Sequence, residues 1–497
     1  MKKRDFETVL EALKHAQHKT TAAIKDFLSE LDEKNEQSAL KGKRLTARAR
    51  IAALFDEGTF VETGAFIKRR PTEFDAGAVS VDDFEGVITG YGSVGGKLVF
   101  AFAEDYYRAH GAVGEAHAKK ICALYDMAIK NGAPVVGIFD SCGAYVMEGV
   151  TALAGYGRIM SAVSAASGVI PQIAVIAGSC VGGSAVVASM FDFTILSRAD
   201  GKYYINTDNA EAPTASLSCE DEITSITRAK ELLALLPSNN CEGTVRMESP
   251  ASLISDLSFI EDGNYSAGNV LGEILDMNHY SVLSEEYGPE LVVTLGPVGG
   301  IVSIIIATDP AVNGGMLTPA AARKAAHYIS FADSFNIPVV TLVDTIGLPT
   351  EDCGDNNFAS ELAKLAAAYA SASCPKVTVV TGQAYGTAYT VLGSKSVGAD
   401  VALALTTAKI GAMNAESAVA LLWDDKFAGA DDPAARRAEL VAEWNSTLGS
   451  AVEAAYKGQI DDVIPEAETR ARIASCLEML SMKNAGEVGR RHANLPL

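Results

Sequence analysis

The chain has 497 residues, of which 48% are hydrophobic and 44 are glycine, and its formal net charge is −21. This length is too great for one hydrophobic core, so we expect two domains of comparable size, residues 1–250 and 251–497. The acidic balance excludes a nucleic-acid-binding groove. No apolar run is long enough to span a membrane, and scattered cysteines without a CxxC pair favour reduced thiols in the cytoplasm.

The first half contains helical patterns that alternate with short apolar runs. An amphipathic pattern over 5–31 predicts a helix that packs on a neighbour. The next helical pattern, 115–130, ends near Asn-Gly-Ala-Pro, where proline prevents continuation. A β-branched run at 135–139 predicts a strand buried on both faces. A further strand at 173–177 runs into the small-residue turn Gly-Ser-Cys-Val-Gly-Gly-Ser-Ala.

The second half repeats this order after a polar connection. Residues 206–265 are rich in Ser, Asn, Asp and Pro and contain one helical pattern, 223–236. The elements predicted after it are a helix over 320–335, strands over 339–343 and 377–380, and helices over 433–456 and 466–480. The second strand again runs into a small-residue turn, Gly-Gln-Ala-Tyr-Gly-Thr-Ala-Tyr.

When each residue is compared with the one 204 positions later, the first half of the sequence aligns with the second. The pairs that coincide include proline, aspartate and glycine: Pro134 with Pro338, Asp140 with Asp344, Gly143 with Gly347, Pro171 with Pro375 and Gly182 with Gly386. A glycine-rich composition explains chance matches of glycine, but not matched proline and aspartate at one ungapped offset. The sequence therefore predicts two homologous α/β halves.

Each half places a glycine turn between a strand and a helix, an arrangement that directs backbone N–H groups and a helix N-terminus at an anion. Donors of this kind stabilise a developing oxyanion, and the loss of one costs about 3–4 kcal/mol. Two such turns suit a reaction with two enolate-like partners, a thioester that loses its α-proton and a biotin ureido group that exchanges CO2. Biotin can itself accept the proton, so such a site needs few acid–base side chains.

Other catalytic constellations are weak in this sequence. The seven histidines show no metal-ligand spacing, so we expect no metal. His117 and His327 lie in predicted helices and are interpreted as surface or core residues. His110 precedes Gly111 in a loop and is a candidate ligand contact. Cys142 and Cys180 both fall in turns of the first half and have no base near them in sequence, which favours packing over a nucleophilic role.

Motifs of one known family extend over most of residues 44–480. They are Phe84-Glu-Gly-Val-Ile-Thr-Gly-Tyr-Gly, Gly114-Glu-Ala-His-Ala-Lys-Lys-Ile, Asn131-Gly-Ala-Pro-Val-Val-Gly, Ala166-Ser-Gly-Val-Ile-Pro-Gln-Ile, Phe335-Asn-Ile-Pro-Val-Val-Thr-Leu-Val-Asp, Pro375-Lys-Val-Thr-Val-Val-Thr, Ala384-Tyr-Gly and Ile460-Asp-Asp-Val-Ile. In this combination the chain resembles the carboxyltransferase (β) subunits of propionyl-CoA and related acyl-CoA carboxylases, and the α subunits of methylmalonyl-CoA-type decarboxylases.

The resemblance implies two tandem crotonase-type (ClpP/crotonase-like) α/β domains in a hexamer, a trimer of dimers, with each active site shared between two chains. It implies transfer of a carboxyl group between carboxybiotin and the α-carbon of a short acyl-CoA. By motif position, the oxyanion-hole residues are Gly182 and Gly183 in the first half and Gly386, Thr387 and Ala388 in the second. The residues implied in substrate binding are His110, Gly111, Cys142, Gly143, Ala144, Tyr145, Tyr385 and Thr390.

The resemblance also implies partners. Biotin is expected on a separate protein, a biotin carboxyl carrier protein, alongside other carboxylase or decarboxylase subunits. The segment Ser481-Met-Lys-Asn lacks the Met-Lys-Met hairpin of biotin domains, so Lys483 is interpreted as an ordinary surface lysine. The coenzyme A thioester is the substrate.

Three departures from the family pattern leave two alternatives open. Tyr145 replaces an arginine, Thr387 replaces a second glycine, and Thr390 replaces an acidic residue. The changes at Tyr145 and Thr387 motivate the hypothesis of a catalytically silent scaffold subunit, whereas the change at Thr390 bears on the choice of acyl group. A weaker alternative is a crotonase-type enoyl-CoA hydratase or isomerase, whose candidate carboxylates are Glu104, Asp105 and Glu148.

Overall fold

The computed structural model describes Ser29 and residues 44–74, 84–206, 215–261, 263–276, 279–350, 357–427 and 430–483. The helix predicted over 5–31 lies outside these ranges except for Ser29. Within the described part of the chain, no helix is both long and apolar enough to cross a membrane.

The first half forms one mixed sheet with helices around it. Its elements are α1 (Ala47–Leu54), β1 (Val61–Thr63), β2 (Val87–Val94), β3 (Lys97–Glu104), α2 (Glu115–Asn131), β4 (Val135–Ser141), α3 (Val150–Ala166), β5 (Gln172–Val181), α4 (Gly183–Ser189), β6 (Phe193–Ser197), β7 (Lys202–Tyr204), β8 (Leu217–Cys219) and α5 (Glu222–Leu235). The strand order is β1-β2-β3-β4-β5-β6-β8, and β7 pairs with β5. Strands β1 to β3 are antiparallel, whereas β3 to β8 pair in parallel.

The second half forms another sheet of the same kind. Its elements are α6 (Ala267–Ile274), β9 (Ser281–Leu283), β10 (Leu291–Val298), β11 (Ile301–Thr308), α7 (Pro319–Ser334), β12 (Val339–Thr345), α8 (Phe358–Ser371), β13 (Lys376–Tyr385), α9 (Gly386–Val391), β14 (Val401–Leu405), β15 (Lys409–Gly411), α10 (Ala415–Leu422), α11 (Asp424–Phe427), α12 (Pro433–Ser446), α13 (Ala451–Tyr456), β16 (Asp462–Ile464) and α14 (Thr469–Leu480). The order is β9-β10-β11-β12-β13-β14-β16, and β15 pairs with β13.

The register of the two sheets confirms the predicted repeat. Val135 pairs with Gln172 in the first half, and Val339 pairs with Lys376 in the second. Both parallel pairs then shift register near the carboxyl end of the strand, between Phe139 and Ser141 and at the equivalent place in β12. Every residue of β4 and β12 is buried, as expected for parallel strands covered by helices on both faces.

The single helix that the sequence predicted over 433–456 is interrupted in the structure. Helix α12 ends before Thr447, which has φ −121° and ψ −94°. The N–H of Gly449 donates to the carbonyl of Trp444 at 2.8 Å. Ser450 then caps a new helix, because its hydroxyl accepts the N–H of Glu453 at 3.2 Å. The prediction that this region is helical was correct, but the prediction of one continuous helix was wrong.

The two halves share part of one hydrophobic core. Phe193 of β6 packs against helix α7 of the second half, with its ring centroid 4.8 Å from that of Phe331 and 6.4 Å from that of Tyr328. All three side chains belong to a single buried cluster with residues of both sheets. Burial of aromatic rings contributes strongly to stability, so this contact fixes the halves relative to each other.

The carboxylate of Asp192 makes stability depend on pH. It accepts the N–H of Gln172 at 2.8 Å, and burial raises its pKa from 3.8 to about 7. Because the folded state holds the proton more tightly than the unfolded state, this contribution is complete below pH 3.8 and is lost as the pH rises through about 7. We therefore expect Asp192→Asn to raise the thermal unfolding midpoint relative to wild type more at about pH 8 than at about pH 5.

The control for this comparison is Asp126→Asn, which changes an exposed carboxylate on α2. Its difference from wild type should be the same at both pH values. A constant difference for Asp192→Asn as well would show that Asp192 is not the group responsible.

Candidate active site

The first glycine turn lies between β5 and α4. Gly182 has φ 59° and ψ −122°, a conformation that glycine adopts without strain and β-branched residues do not. Its N–H donates to the carbonyl of Tyr204 at 3.1 Å. A Cβ atom on Gly182 would meet no heavy atom within 4 Å, so the turn faces open space. The first N–H groups of α4 have no intrahelical acceptor and point out of the helix at this end.

Gly183 is needed for close packing. A Cβ atom there would lie 3.0 Å from atoms of the Tyr156 ring. The Tyr156 hydroxyl lies 2.8 Å from the hydroxyl of Ser184, which holds the ring against the first turn of α4. Tyr156 therefore fixes the position of the helix N-terminus. In the sequence this residue is marked only by its place between two glycines, at 155 and 157.

The loop that follows β4 lies beside this turn. A Cβ atom on Gly143, whose φ is 106°, would lie 3.8 Å from the carbonyl oxygen of Val181. The Gly143 N–H donates to the hydroxyl of Ser141 at 3.1 Å. Its carbonyl accepts the N–H of Val113 at 2.9 Å, and Val113 in turn accepts the N–H of Tyr145 at 2.9 Å. The predicted residues 142–145 thus form a rigid loop next to the first glycine turn.

His110 and Gly111 belong to the same neighbourhood. The carbonyl of His110 accepts the N–H of Cys142 at 3.0 Å. Its ring stacks edge-on against Tyr106, with centroids 4.9 Å apart. Gly111 is required by a close approach, because a Cβ atom there would lie 2.3 Å from the carbonyl oxygen of Asp140. The side chains of His110 and Cys142 are both exposed.

The second half reproduces this arrangement residue by residue. Gly347 has φ 128°; its N–H donates to the hydroxyl of Thr345 at 3.1 Å, and its carbonyl accepts the N–H of Leu317 at 3.1 Å. The N–H of Ile346 donates to the carbonyl of Gly314 at 3.2 Å. Sequence reasoning did not include Gly314, Ile346 and Gly347 among the candidate site residues. The 204-residue offset identifies them, since Gly347 aligns with Gly143.

The second glycine turn has its unusual backbone at Gly386. This residue has φ 58° and opens α9. Thr387 is exposed within that helix and does not have a positive φ. The replacement of glycine by threonine at 387 therefore causes no backbone strain. Ala388 is fully buried, whereas Thr390 is exposed and its hydroxyl donates to the carbonyl of Gly386 at 3.1 Å.

Tyr385 lies at the end of β13, directly before the turn, and is 6% exposed. Burial raises the pKa of its hydroxyl to about 12. The neutral phenol therefore persists at physiological pH, and the residue contributes packing and a hydrogen-bonding group to this part of the site.

Beneath the first turn, Asp140 fixes strand β5. Its Oδ1 accepts the N–H of Ser179 at 3.1 Å, three residues before Gly182. Its Oδ2 accepts from Arg50 at 2.9 Å, and Arg44 lies 3.2 Å from Oδ1. Arg50 is fully buried and also donates to Glu222 at 2.7 Å. The neighbouring carboxylates raise the Arg50 pKa against the opposing effect of its burial. Arg44 and Arg50 thus hold the carboxylate of Asp140 at the base of the first glycine turn.

Asp344 fixes β13 in the same way but with different partners. Its Oδ1 accepts the N–H of Gln383 at 2.7 Å, and the hydroxyl of Tyr265 donates to its Oδ2. A Cβ atom on Gly382 would lie 2.3 Å from the Asp344 Cγ, just as one on Gly178 would lie 2.3 Å from the Asp140 Cγ. Both glycines are therefore required by the carboxylate below the turn.

Among the residues that the structure describes, a buried histidine between two acidic side chains is found in the first half alone. His117 lies with Nδ1 3.4 Å from Glu85 and Nε2 3.7 Å from Glu104. Burial raises the Glu104 pKa well above its usual range, and Glu104 accepts the N–H of Asp140 at 2.9 Å. In the second half the hydroxyl of Thr308 accepts the equivalent N–H, at 2.6 Å. His117 is thus a core residue, as predicted.

The carboxylates proposed for a hydratase are engaged in structural contacts. Glu104 is 2% exposed. Asp105 pairs with Arg108 at 3.2 Å, and Glu148 accepts the N–H of Glu115 at 2.6 Å, which caps α2. No observation therefore favours the hydratase alternative. Across the described ranges, no group of three or more His, Cys, Asp or Glu side chains is placed to hold a metal ion.

Comparisons with known proteins agree over nearly the whole chain. The carboxyl transferase domain family matches residues 38–208 and 206–495. The chain is 36% identical to the propionyl-CoA carboxylase carboxyltransferase subunit of Haloferax mediterranei, covering 95% of this chain and 100% of that one. It is 36% identical to the methylmalonyl-CoA decarboxylase subunit alpha of Propionigenium modestum, covering 95% and 99%.

A similar structure is the crystal structure of transcarboxylase 12S, a hexamer with methylmalonyl-CoA and methylmalonic acid bound. The TM-score is 0.86 at 32% sequence identity, covering 95% of this chain and 98% of that one. This likeness confirms the predicted fold class of two tandem crotonase-type α/β domains.

Proposed function

This chain belongs to the carboxyl transferase domain family, and from that premise we propose how its two halves divide the reaction. It is an acyl-CoA carboxyltransferase that moves a carboxyl group between carboxybiotin and the α-carbon of a short acyl-CoA of the propionyl or methylmalonyl type. The observation that carries this function is the repeated site: each half ends a buried strand in a positive-φ glycine followed by a helix N-terminus.

The first turn is assigned to the thioester. The N–H of Gly183, at the start of α4, is the donor to the thioester oxygen, which gains negative charge as the α-carbon loses its proton. Gly182, whose own N–H is bonded to the carbonyl of Tyr204, supplies the positive-φ turn that orients this donor. The neighbouring loop residues, with His110 and Gly111, form the wall of this site. Preorganised donors cost no reorganisation when the charge develops, which suits a loop held by several backbone hydrogen bonds.

The second turn is assigned to biotin. The residues fit the group, because α9 begins at Gly386 and Thr387 in its first turn is exposed. When bound, carboxybiotin supplies the carboxyl group and, once that group has left, a base for the α-proton. The N–H groups of Gly386, Thr387 and Ala388 would hold it by donating to its ureido oxygen. Tyr385 and Thr390 line the same turn, and no further acid or base from this chain is needed.

At the positions where the chain departs from the family pattern, the local structure favours an active enzyme over a catalytically silent scaffold. Thr387 causes no backbone strain. At Tyr145, the guanidinium of Arg69 lies 4.9 Å from the ring centroid, so a cation is again next to the position where the family has arginine. The deciding experiment is transfer of labelled carboxyl from methylmalonyl-CoA or malonyl-CoA to free biotin by the purified chain. We expect labelled carboxyl to be transferred to biotin. No transfer would favour the scaffold hypothesis.

Thr387 should slow the biotin step without affecting acyl-CoA binding, because its methyl and hydroxyl groups stand at the entrance to the second turn. We expect Thr387→Gly to accelerate biotin-dependent decarboxylation of methylmalonyl-CoA while KM for the CoA ester stays nearly unchanged. The control is Thr227→Gly, an exposed helical threonine of α5. Equal rates for wild type and Thr387→Gly would mean that Thr387 does not narrow the biotin site.

Assembly and partners follow the same assignment. The chain forms a homo-oligomer, a hexamer, and works with biotin carried on a separate subunit. Apolar side chains that a second copy would cover are exposed beside the first turn: Val146, Met147, Val150 and Leu153, at 83, 50, 77 and 63%. Lys483, interpreted from the sequence as an ordinary surface lysine, is partly exposed, and its amine donates to Asp400 and to the carbonyl of Cys374.

We place the domain boundary at 250/251 and the chain in the cytoplasm. The boundary falls between α5 and α6, although Arg246 already pairs with Ile301 of the second sheet. All seven cysteines within the described ranges are free, which fits a reducing compartment, where disulfides are rare.

A further inference from the structure

A cavity of about 330 Å³ lies where the two halves meet, and none of the turn glycines lines it. From the first half, the wall is formed by the end of α4, the start of β6, Tyr203 and Ser216. From the second half, it is formed by the residues after β9 and by one face of α7. The size is that of pockets which take small metabolites.

The floor of this cavity is held by hydrogen bonds within each half and by one bond between the halves. Thr194 and Ser216 bond reciprocally, each N–H donating to the other's hydroxyl at 3.1 and 3.2 Å. The N–H of Ser284 donates to the carbonyl of Ser216 at 2.7 Å. The Ser284 hydroxyl lies 2.8 Å from that of Tyr328. The cavity is therefore a preformed space between fixed walls.

Helix α7 contributes three basic side chains to this space, in a chain whose net charge is −21. Arg323 is held at the mouth by Tyr287 at 2.8 Å and Glu361 at 3.2 Å. Lys324 is 4% exposed, and its amine donates to the carbonyl of Ser284 at 3.2 Å. His327 follows one turn later and is exposed.

The ammonium of Lys324 is incompletely satisfied. It has three donors, and burial lowers its pKa to about 8. Within the described part of the chain it forms no ion pair, and Glu285 and Glu290 act on it only through longer-range attraction. A buried ammonium that has one carbonyl partner gains most from an anion beside it.

The repeat shows that this space is not a general feature of the fold. Lys120 aligns with Lys324 and is also buried, with its amine donating to the carbonyl of Val87. There the space is filled: the Cβ position of Gly64 lies 3.4 Å from the Lys120 side chain. The segment around Gly64 thus closes over the first lysine, whereas the second opens into a cavity.

The opposite wall can donate hydrogen bonds as well. Burial raises the pKa of Asp192 to about 7, so it is partly protonated near neutral pH. Tyr203 and Tyr287 also line the cavity. Together with the basic side chains, these groups suit a ligand that accepts hydrogen bonds on several oxygens.

We propose that the cavity binds a small oxyanion, a carboxylate or phosphate group of a metabolite, at a site separate from the two glycine turns. Both halves contribute walls to this cavity.

Calorimetric titration of the full chain with inorganic phosphate, and separately with succinate, tests this proposal. We expect saturable binding of at least one of the two, and the tighter one identifies the source of the oxyanion. Lys324→Met and His327→Gln should each weaken binding by about tenfold or more. The matched control is Lys119→Met, an exposed lysine at the repeat position of Arg323, which should bind like wild type.

Three results would overturn the proposal. They are no saturable binding by the wild-type chain, binding that persists in both cavity variants, and full competition by coenzyme A, which would assign the oxyanion site to the substrate's own phosphates. If Lys324→Met does not fold, His327→Gln decides the question, because its side chain is exposed. Failure of this proposal leaves the carboxyl-transfer assignment unaffected, since labelled transfer to biotin is measured independently.

Discussion

Gly182→Val should abolish turnover of every acyl-CoA, lowering kcat/KM by about two orders of magnitude or more. Valine is strained at φ 59°, so the N–H donors at the start of α4 would turn away from the thioester. Its side chain would also occupy the open space in front of the turn, where nothing lies within 4 Å of the Cβ position. The measurement is decarboxylation of malonyl-CoA and methylmalonyl-CoA at several concentrations.

Gly458→Val separates this effect from backbone strain in general. Gly458 has φ 70° and no heavy atom within 4 Å of its Cβ position, but it lies between α13 and β16, outside both turns. We expect it to show a similar small loss of stability and nearly normal turnover. Normal turnover by Gly182→Val, with the chain folded, would remove Gly182 from the site.

Arg50→Met should cause the largest loss of stability, about 3–5 kcal/mol in the free energy of unfolding. The substitution removes the buried partner of two carboxylates, Asp140 at 2.9 Å and Glu222 at 2.7 Å, whose side chains are 0 and 8% exposed. Uncompensated buried carboxylates are far more costly than an exposed broken pair. Urea unfolding at equal protein concentration measures the effect, since an oligomer's apparent stability depends on concentration.

The control is Arg228→Met, which breaks an exposed pair with Glu231 whose side chains are 47 and 49% exposed. We expect it to change the free energy of unfolding by less than about 1 kcal/mol. If Arg50→Met has an equally small effect, Arg44 alone is sufficient to compensate Asp140. If Arg50→Met loses more activity than its unfolded fraction explains, the network also positions the first turn through Ser179.

The two halves hold the same aspartate by different means. In the first half two arginines approach Asp140, whereas in the second half the hydroxyl of Tyr265 bonds Asp344. The glycine turn, the hydroxyl in the loop and the required glycine below it are common to both. The duplicated part therefore includes the backbone of the oxyanion site, and the supporting side chains differ between the halves.

The sequence by itself determined the repeat, the buried strands and the two glycine turns. These features depend on local rules: β-branched runs favour covered strands, proline ends helices, and a glycine between strand and helix permits a positive φ. Gly182 and Gly386 accordingly lie where the sequence placed them. Gly314, Ile346 and Gly347 were missed as site residues although the same offset identifies them.

Only the tertiary structure decided which distant groups meet. Arg50 reaches Asp140 across 90 residues and Tyr265 reaches Asp344 across 79. No periodic pattern encodes such contacts, because they depend on how whole elements pack. The anchoring of Lys483 on Asp400 and the cavity beside Lys324 arise in the same way. Local propensity sets each element and turn, whereas burial, charge partners and open space are properties of the packed chain.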